Sequence, residues 1–205
     1  MTHYEFATLQ ARTSAAPDAT LRLADYLASR ANRGCLLGCW ISEIGALNRI
    51  ALLRSYTERD DHDAERHALV TSADPFGCGG LLADISLDTC TPFPNLPPIE
   101  PGAYGPFYEI RTYTMEVGGL APTLENWAEA IPKRAQLSKL VTVMHTTGAA
   151  PRMVSIWPYT SIGERQKIRA KAIAEGIWPP KDSARYLQTE MLSTIYLPTE
   201  FSPLQ

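Results

Sequence analysis

Tyr4-Glu5-Phe6-Ala7-Thr8-Leu9 is answered 104 residues later by Tyr108-Glu109-Ile110-Arg111-Thr112-Tyr113. A second block, Gly45-Ala46-Leu47-Asn48-Arg49 running on to Tyr56-Thr57, is answered 103 residues later by Gly148-Ala149-Ala150-Pro151-Arg152 running on to Tyr159-Thr160. Two blocks that keep their spacing on repetition mark a duplication of about half the chain. A length of 205 residues leaves one domain or two open. The duplication divides it into a first repeat over residues 1–90 and a second over 107–205.

Each repeat reads as strand, helix, strand, strand, helix, strand. In the second, Phe107 to Met115 is rich in aromatic and β-branched residues and stops before Gly118-Gly119, as a strand followed by a turn does. A helix starts near Pro122-Thr123, with Leu120, Leu124, Trp127 and Ile131 at three- and four-residue steps, and Pro132 predicts a kink or an early end. Strands follow at Lys139–Thr147 and Arg152–Trp157, joined by a short turn at Gly148-Ala149-Ala150-Pro151. Ser161-x-x-Glu164 has the form of a capping box, in which the serine and the glutamate satisfy each other's backbone donors. The helix it opens carries Ile162, Ile168, Ala172 and Ile173, and Gly176 is placed to end it. Leu187 to Leu197 supplies the last strand. The first repeat follows suit, with strands at Tyr4–Arg12, Cys35–Glu43, Arg49–Tyr56 and Leu81–Thr89 and helices at Asp18–Ala31 and Glu58–Val70.

Two βαββαβ units make an α+β protein of two ferredoxin-like halves, each an antiparallel sheet with both helices on one face. A sheet covered on one side alternates apolar and polar residues, yet Cys35 to Ile41, Ile50 to Leu53 and Met153 to Trp157 are apolar on both faces. The helices hide one face, and the sister half is the nearest cover for the other. The expected architecture is therefore two sheets packed face to face around a barrel-like interior, an intrachain pseudo-dimer. Residues 91–106 hold six prolines and read as a stiff, extended linker. Fully extended, it would reach on the order of 50 Å.

Lys and Arg total 19 against 22 Asp and Glu, scattered through both halves, for a net charge of −3. No basic stripe exists for a phosphate backbone, which argues against nucleic acid, and no apolar run is long enough for a membrane span. The start carries no recognisable leader, so a cytoplasmic location is the default expectation. Cys35, Cys39, Cys78 and Cys90 show no metal-ligand spacing, and Cys35 and Cys39 read as small buried hydrophobes. Asp63 and His67 are i,i+4 neighbours in a charge-laced helix that reads as a solvated face. No metal and no cofactor is expected. Walker-type, dinucleotide-binding, nucleophile-elbow and zincin signatures are missing from the sequence.

The residues that carry chemistry lie in the second repeat. Alternation puts Phe107, Glu109, Arg111 and Tyr113 on one face of a strand that is central in the ferredoxin-like order, so two charges are committed to the interior. Such charges pair with each other, with a ligand or with polar neighbours. One reading is a Glu109–Arg111 pair that holds the sheets in register. In the other, Glu109 orients Arg111, and Arg111 and Tyr113 line a cavity with His145, Trp157 and Tyr159. The first repeat keeps Glu5 but has Ala7, Leu9 and Arg54 where Arg111, Tyr113 and Trp157 stand. A site thus belongs to the second repeat, with the first as its cover.

The chain resembles the NIPSNAP family, within the dimeric α/β-barrel superfamily. The resemblance rests on Tyr108-Glu109-Ile110-Arg111-Thr112-Tyr113, Trp127, Trp157-Pro158-Tyr159, Arg165 and Arg169, and on Ser42-Glu43-Ile44-Gly45-Ala46-Leu47-Asn48-Arg49, Tyr56 and Arg66. It implies a ferredoxin-like unit that closes a barrel with a second one, and it implies no agreed catalytic set. Members of the wider superfamily include cofactor-free monooxygenases of aromatic substrates, lactone isomerases and haem proteins. Three readings follow. The first is a cavity in the second repeat for a small aromatic or anionic molecule, with Arg111 as charge partner. The second makes that cavity a cofactor-independent monooxygenase or isomerase in which His145 or Tyr113 moves a proton. The third is a non-catalytic interaction or scaffold protein that self-associates as a homo-oligomer through free sheet edges and helix faces. Haem would need a histidine facing a large cavity, and His145 is the strand residue to consider.

Overall fold

A computed structural model describes residues 2–147 and 151–205. The first three residues of the turn expected at 148–151 lie outside the described residues. Eight strands form in chain order: β1 (His3–Ala11), β2 (Cys35–Ile44), β3 (Arg49–Tyr56), β4 (Leu82–Pro92), β5 (Phe107–Met115), β6 (Thr142–Thr146), β7 (Arg152–Tyr159) and β8 (Leu187–Pro198). Four helices accompany them: α1 (Ala16–Ala28), α2 (Arg59–Thr71), α3 (Leu120–Ala135) and α4 (Ile162–Ala174).

The strands close a barrel in the order β1-β3-β2-β8-β5-β7-β6-β4. Each repeat contributes a ferredoxin-like sheet, and the two sheets also join at both margins. Trp40 to Ile44 pairs with Ile195 to Pro198 on one side, and Cys90 to Pro92 pairs with Met144 to Thr146 on the other. The free sheet edges expected to drive self-association are therefore absent among the described residues. Backbone donors that would have invited another chain are already used within this one.

Alternation sorts the strand residues into two environments, which explains the apolar character of both faces. Phe6, Trp40, Leu53, Tyr108, Ile110, Met144, Val154, Ile156 and Tyr196 point into the lumen and form one core shared by both repeats. Ala7, Leu9, Ile50 and Leu52 face outward beneath α1 and α2, and Tyr113, Val143, Met153, Trp157 and Tyr159 face outward beneath α3 and α4. Three cores thus serve one barrel.

Several local signals act as the sequence predicts. Ser161 Oγ accepts the Glu164 N–H at 3.0 Å and caps α4. The Glu164 carboxylate reaches back as the motif expects and extends one residue further, accepting from the backbone N–H (2.6 Å) and hydroxyl (2.7 Å) of Thr160. Gly176, at φ +65°, ends α4 with Ile177 N–H on the Ala172 carbonyl and Gly176 N–H on that of Ile173, a Schellman closure. α3 does not end early at Pro132 but runs through it to Ala135. The proline sits in the last turn, where little helix remains to be broken, and buried Trp127, Ile131 and Arg134 hold that turn on the sheet.

The proline-rich connection is not a free spacer. Thr91 and Pro92 belong to β4. Phe93 is buried against Trp127, its N–H on the Val143 carbonyl at 2.9 Å. Further on, Gly102 bridges Leu204, and Ile99, Tyr104 and the buried Leu204 pack on the lumen core. Gly105 (φ +141°) then passes so close to Tyr159 that a Cβ would lie 2.4 Å from its carbonyl oxygen. Apolar residues between the prolines convert an extended segment into a plug.

Cys35 is exposed at the start of β2, contrary to its reading as a buried hydrophobe, because the apolar run enters the barrel only beyond it. Burial pushes the thiols of Cys39 and Cys90 up to about 12 and that of Cys78 to about 11. A disulfide reagent at pH 8 is therefore expected to titrate one thiol in the native protein and all four in denaturant. Rapid reaction of a second native thiol would contradict this packing.

Candidate functional site

The side of β5 that carries Glu109, Arg111 and Tyr113 faces the helices, away from the lumen. Register fixes their neighbours: Glu109 lies between Trp157 and Ile195, Arg111 between Ser155 and Ser193, and Tyr113 between Met153 and Met191. Trp127 and Arg134 come down from α3, and Arg165 and Arg169 from α4.

Glu109 is fully buried, and one of its oxygens collects most of the charge. Its Oε1 accepts from Arg111 Nη1 at 2.5 Å, Arg165 Nη2 at 2.6 Å and Ser193 Oγ at 2.7 Å. Arg169 Nη1 lies 3.9 Å from Oε2, which has no hydrogen-bond partner among the described residues. Arg111 also donates through Nε to the Tyr113 hydroxyl. Burial works to raise the Glu109 carboxyl, but the Arg165 hydrogen bond, the Arg111 charge and Ser193 win and hold it at about 2. The opposite holds for Arg169, which burial and then the neighbouring Arg111 charge push below the ordinary guanidinium range. One carboxylate is thus shared among three guanidiniums.

Beside this cluster a cavity of about 200 Å³ opens. Trp127, Trp157 and Trp178 form an edge-to-face set on its wall, with Trp178 4.7 Å from Trp127 and 5.8 Å from Trp157 between ring centres. The buried Arg134 guanidinium stacks 4.5 Å from the Trp157 ring and donates to the Tyr159 hydroxyl at 3.2 Å. Glu109, Arg111, Arg134 and Arg169 complete the charged wall, and the exposed Ile173 and Met191 contribute apolar surface. The segment that follows α4, with Trp178, Pro179, Pro180, Ser183 and Ala184, covers it.

Of the six ligand-binding candidates, Glu109, Arg111, Tyr113, Trp157 and Tyr159 line this one cavity. His145 does not. Its strand position is on the helix-facing side, but β6 lies beyond β7, and the ring rests 6.3 Å from Phe93 with Nδ1 3.2 Å from the Thr146 carbonyl. No histidine is among the lining residues, so this wall does not suit a histidine-ligated haem. The expected cover is also corrected: helices α3 and α4 and the 176–186 segment enclose the cavity, and the first repeat lies across the lumen from it. Arg134, Arg169 and Trp178 went unassigned as site residues in the sequence. Helical spacing from Trp127 to Arg134, and from Arg165 to Arg169, was the available signal.

The equivalent space in the first repeat is filled. Arg54, at the place of Trp157, extends under α2 and donates to Glu5 Oε1 and Glu65 Oε1, each at 2.5 Å. Its guanidinium carbon lies 5.1 Å from the Phe76 ring centre and 5.4 Å from that of Tyr56. Here one guanidinium serves two carboxylates, the reverse of the second repeat.

The NIPSNAP sequence pattern matches residues 4–75 and 108–203, one stretch in each repeat. The chain belongs to the NIPSNAP family. A NipSnap homologue of Dictyostelium discoideum is 24% identical over 147 residues, 69% of this chain and 65% of that protein, so the match leaves about a third of the relative's length outside it. Among solved structures, an anthrone oxidase-like protein superposes over 100% of this chain and 94% of its own, with a TM-score of 0.67 at 14% identity. A chlorite dismutase variant from Candidatus Nitrospira defluvii covers 96% and 92%, with a TM-score of 0.56 at 10% identity. At such identities these likenesses establish the α/β-barrel fold of this NIPSNAP chain and leave its chemistry to the site.

Proposed function

We propose that the second NIPSNAP repeat binds a small single-ring aromatic anion, of the benzoate type, between its sheet and helices α3 and α4. The observation that carries this reading is the uneven charge of an aromatic cavity. Arg111, Arg134 and Arg169 stand on its wall against Glu109 alone. Unlike Arg111 and Arg165, each held by Glu109 within 2.6 Å, Arg169 is left with a distant contact, and it takes the place of charge partner that the sequence had pointed to Arg111 for. A carboxylate beside it would relieve the mutual repulsion of the guanidiniums and gain a charge-assisted hydrogen bond. The tryptophans supply faces and edges for a ring. Scaled from a cavity of ~150 Å³ that holds benzene, the volume suits about eight non-hydrogen atoms.

Three of the four tryptophans line the cavity, so intrinsic fluorescence reports on it directly. Titration with benzoate is expected to quench emission saturably, with benzyl alcohol at least about tenfold weaker. Arg169→Gln should weaken benzoate by about tenfold while leaving the thermal transition in place. Equal affinity for the charged and uncharged compounds, or an unaltered Arg169→Gln titration, would remove the proposal.

A further inference from the structure

We propose that the open end of the barrel lumen is a second binding site, separate from the cavity under the helices, and that it takes a small zwitterion: a free α-amino acid with a short apolar side chain. One end of the lumen is closed by Ile99, Tyr104 and the C-terminal Leu204. At another part of the lumen wall a cavity of about 190 Å³ is bounded by Phe6, Val154 and Leu192 and by four charged residues, Arg49, Asp84, Asp88 and Arg152. The first repeat supplies β1, β3 and β4 to it and the second supplies β5, β7 and β8, so only the closed barrel builds it.

The four charges divide unequally. Arg152 and Asp88 are bonded to each other across the seam between the repeats, and Ser86 Oγ adds a bond to Asp88 at 3.2 Å. Arg49 and Asp84 have no ion-pair partner among the described residues. Register places them on either side of Gln10, which is the cross-strand neighbour of both. The three backbones therefore span two strand spacings, about 10 Å, and the long arginine side chain leans inward from one side. Gln10 steers it: its Oε1 accepts from Arg49 Nε at 3.4 Å, and its Nε2 donates to the Leu47 carbonyl at 2.9 Å. The neighbouring Tyr196 does not neutralise Arg49, because burial pushes its hydroxyl up to about 12.

A molecule that supplies the missing counter-charge to both carries a carboxylate for Arg49 and an ammonium for Asp84. Asp84 is exposed at the mouth of the cavity and Arg49 is half-buried, so a lone anion would leave Asp84 to water and a lone cation would leave Arg49 without a counter-charge. Phe6 and the fully enclosed Val154 offer an apolar contact for the third substituent, and the volume, scaled as before, suits about eight non-hydrogen atoms, the size of valine. Wall residues Thr8 and Thr112 add hydroxyls.

The test is calorimetric titration of the full chain with L-valine, with isovalerate, which lacks the ammonium, and with isobutylamine, which lacks the carboxylate. Valine is expected to bind one-to-one, and each single-charge analogue at least about tenfold more weakly. Arg49→Gln and Asp84→Asn should each weaken valine about tenfold. Both variants should keep the wild-type thermal transition and the benzoate response of the other cavity, which separates loss of this site from loss of fold. Absence of valine binding at up to ~10 mM ligand, equal binding of valine and isovalerate, or unchanged valine binding in both variants would overturn the assignment.

Discussion

Arg54→Ala is expected to lower the unfolding free energy by about 3–5 kcal/mol and the melting temperature by roughly 6–20 °C for a domain of this size. Arg54 is fully enclosed and is the cation held by both Glu5 and Glu65. Removing it leaves two buried carboxylates without their guanidinium. Glu65 retains the Tyr26 hydroxyl at 2.7 Å and the Arg33 N–H at 2.8 Å, whereas Glu5, among the described residues, retains His62 Nε2, 3.7 Å away. Glu5 therefore bears more of the loss. Replacing the whole cluster, Arg54→Met with Glu5→Gln and Glu65→Gln, should recover most of the stability, because what is costly is the orphaned charge and not the absence of the pair. Urea unfolding of the two variants beside the wild type checks this. A single Arg54→Ala that costs less than about 1 kcal/mol would mean that the cluster is open to solvent.

The second large effect is a dependence on pH that belongs to Glu109. Its carboxyl has an ordinary value of 4.5 and sits at about 2 in the folded chain. A carboxylate with a depressed folded value contributes stability that is fully present above the unfolded value and is lost as pH falls toward the folded one. The window is thus about pH 5 down to about 2, and the contribution is on the order of 3 kcal/mol at ~1.4 kcal/mol per pH unit. Glu109→Gln should be less stable than wild type at pH 7, since Arg111, Arg165 and Arg169 lose their shared counter-charge. The gap should shrink by about 2 kcal/mol between pH 7 and pH 3, with the remainder lost below pH 3, because every other titrating group is common to both proteins. Unfolding curves at pH 7, 4.5 and 3 provide the measurement. A gap that stays constant with pH would show that Glu109 is not the buried anion described.

Element order and barrel closure were legible because duplication and alternation are local signals. Tyr4 to Leu9 and Tyr108 to Tyr113 repeat visibly, and apolar residues on both strand faces require two covers. What alternation does not state is which cover lies over which face. Glu109, Arg111 and Tyr113 could be grouped with Trp157 and Tyr159 from strand parity alone, but their placement under α3 and α4 depends on helix packing, which parity does not encode. His145 has the right parity and the wrong distance, because the order β5-β7-β6 puts a whole strand between it and the cluster. Arg134 was hidden for a similar reason: on a helical wheel it is one more cation near a C-terminus, and only its stacking on Trp157 distinguishes it. The prolines of residues 91–106 announce an extended segment, whereas the anchoring of Phe93, Ile99 and Tyr104 between them depends on contacts with distant strands that local sequence does not encode.

Joining the repeats in one polypeptide has a consequence for how they diverge. In a ring built from two identical subunits, every substitution is made twice, and a change that seals one chamber seals its twin. Here a single codon can place arginine at position 54 and tryptophan at position 157, so one half is free to become a rigid buttress while the other keeps its vacancy. Dilution does not undo that division of labour, since both seams are intramolecular.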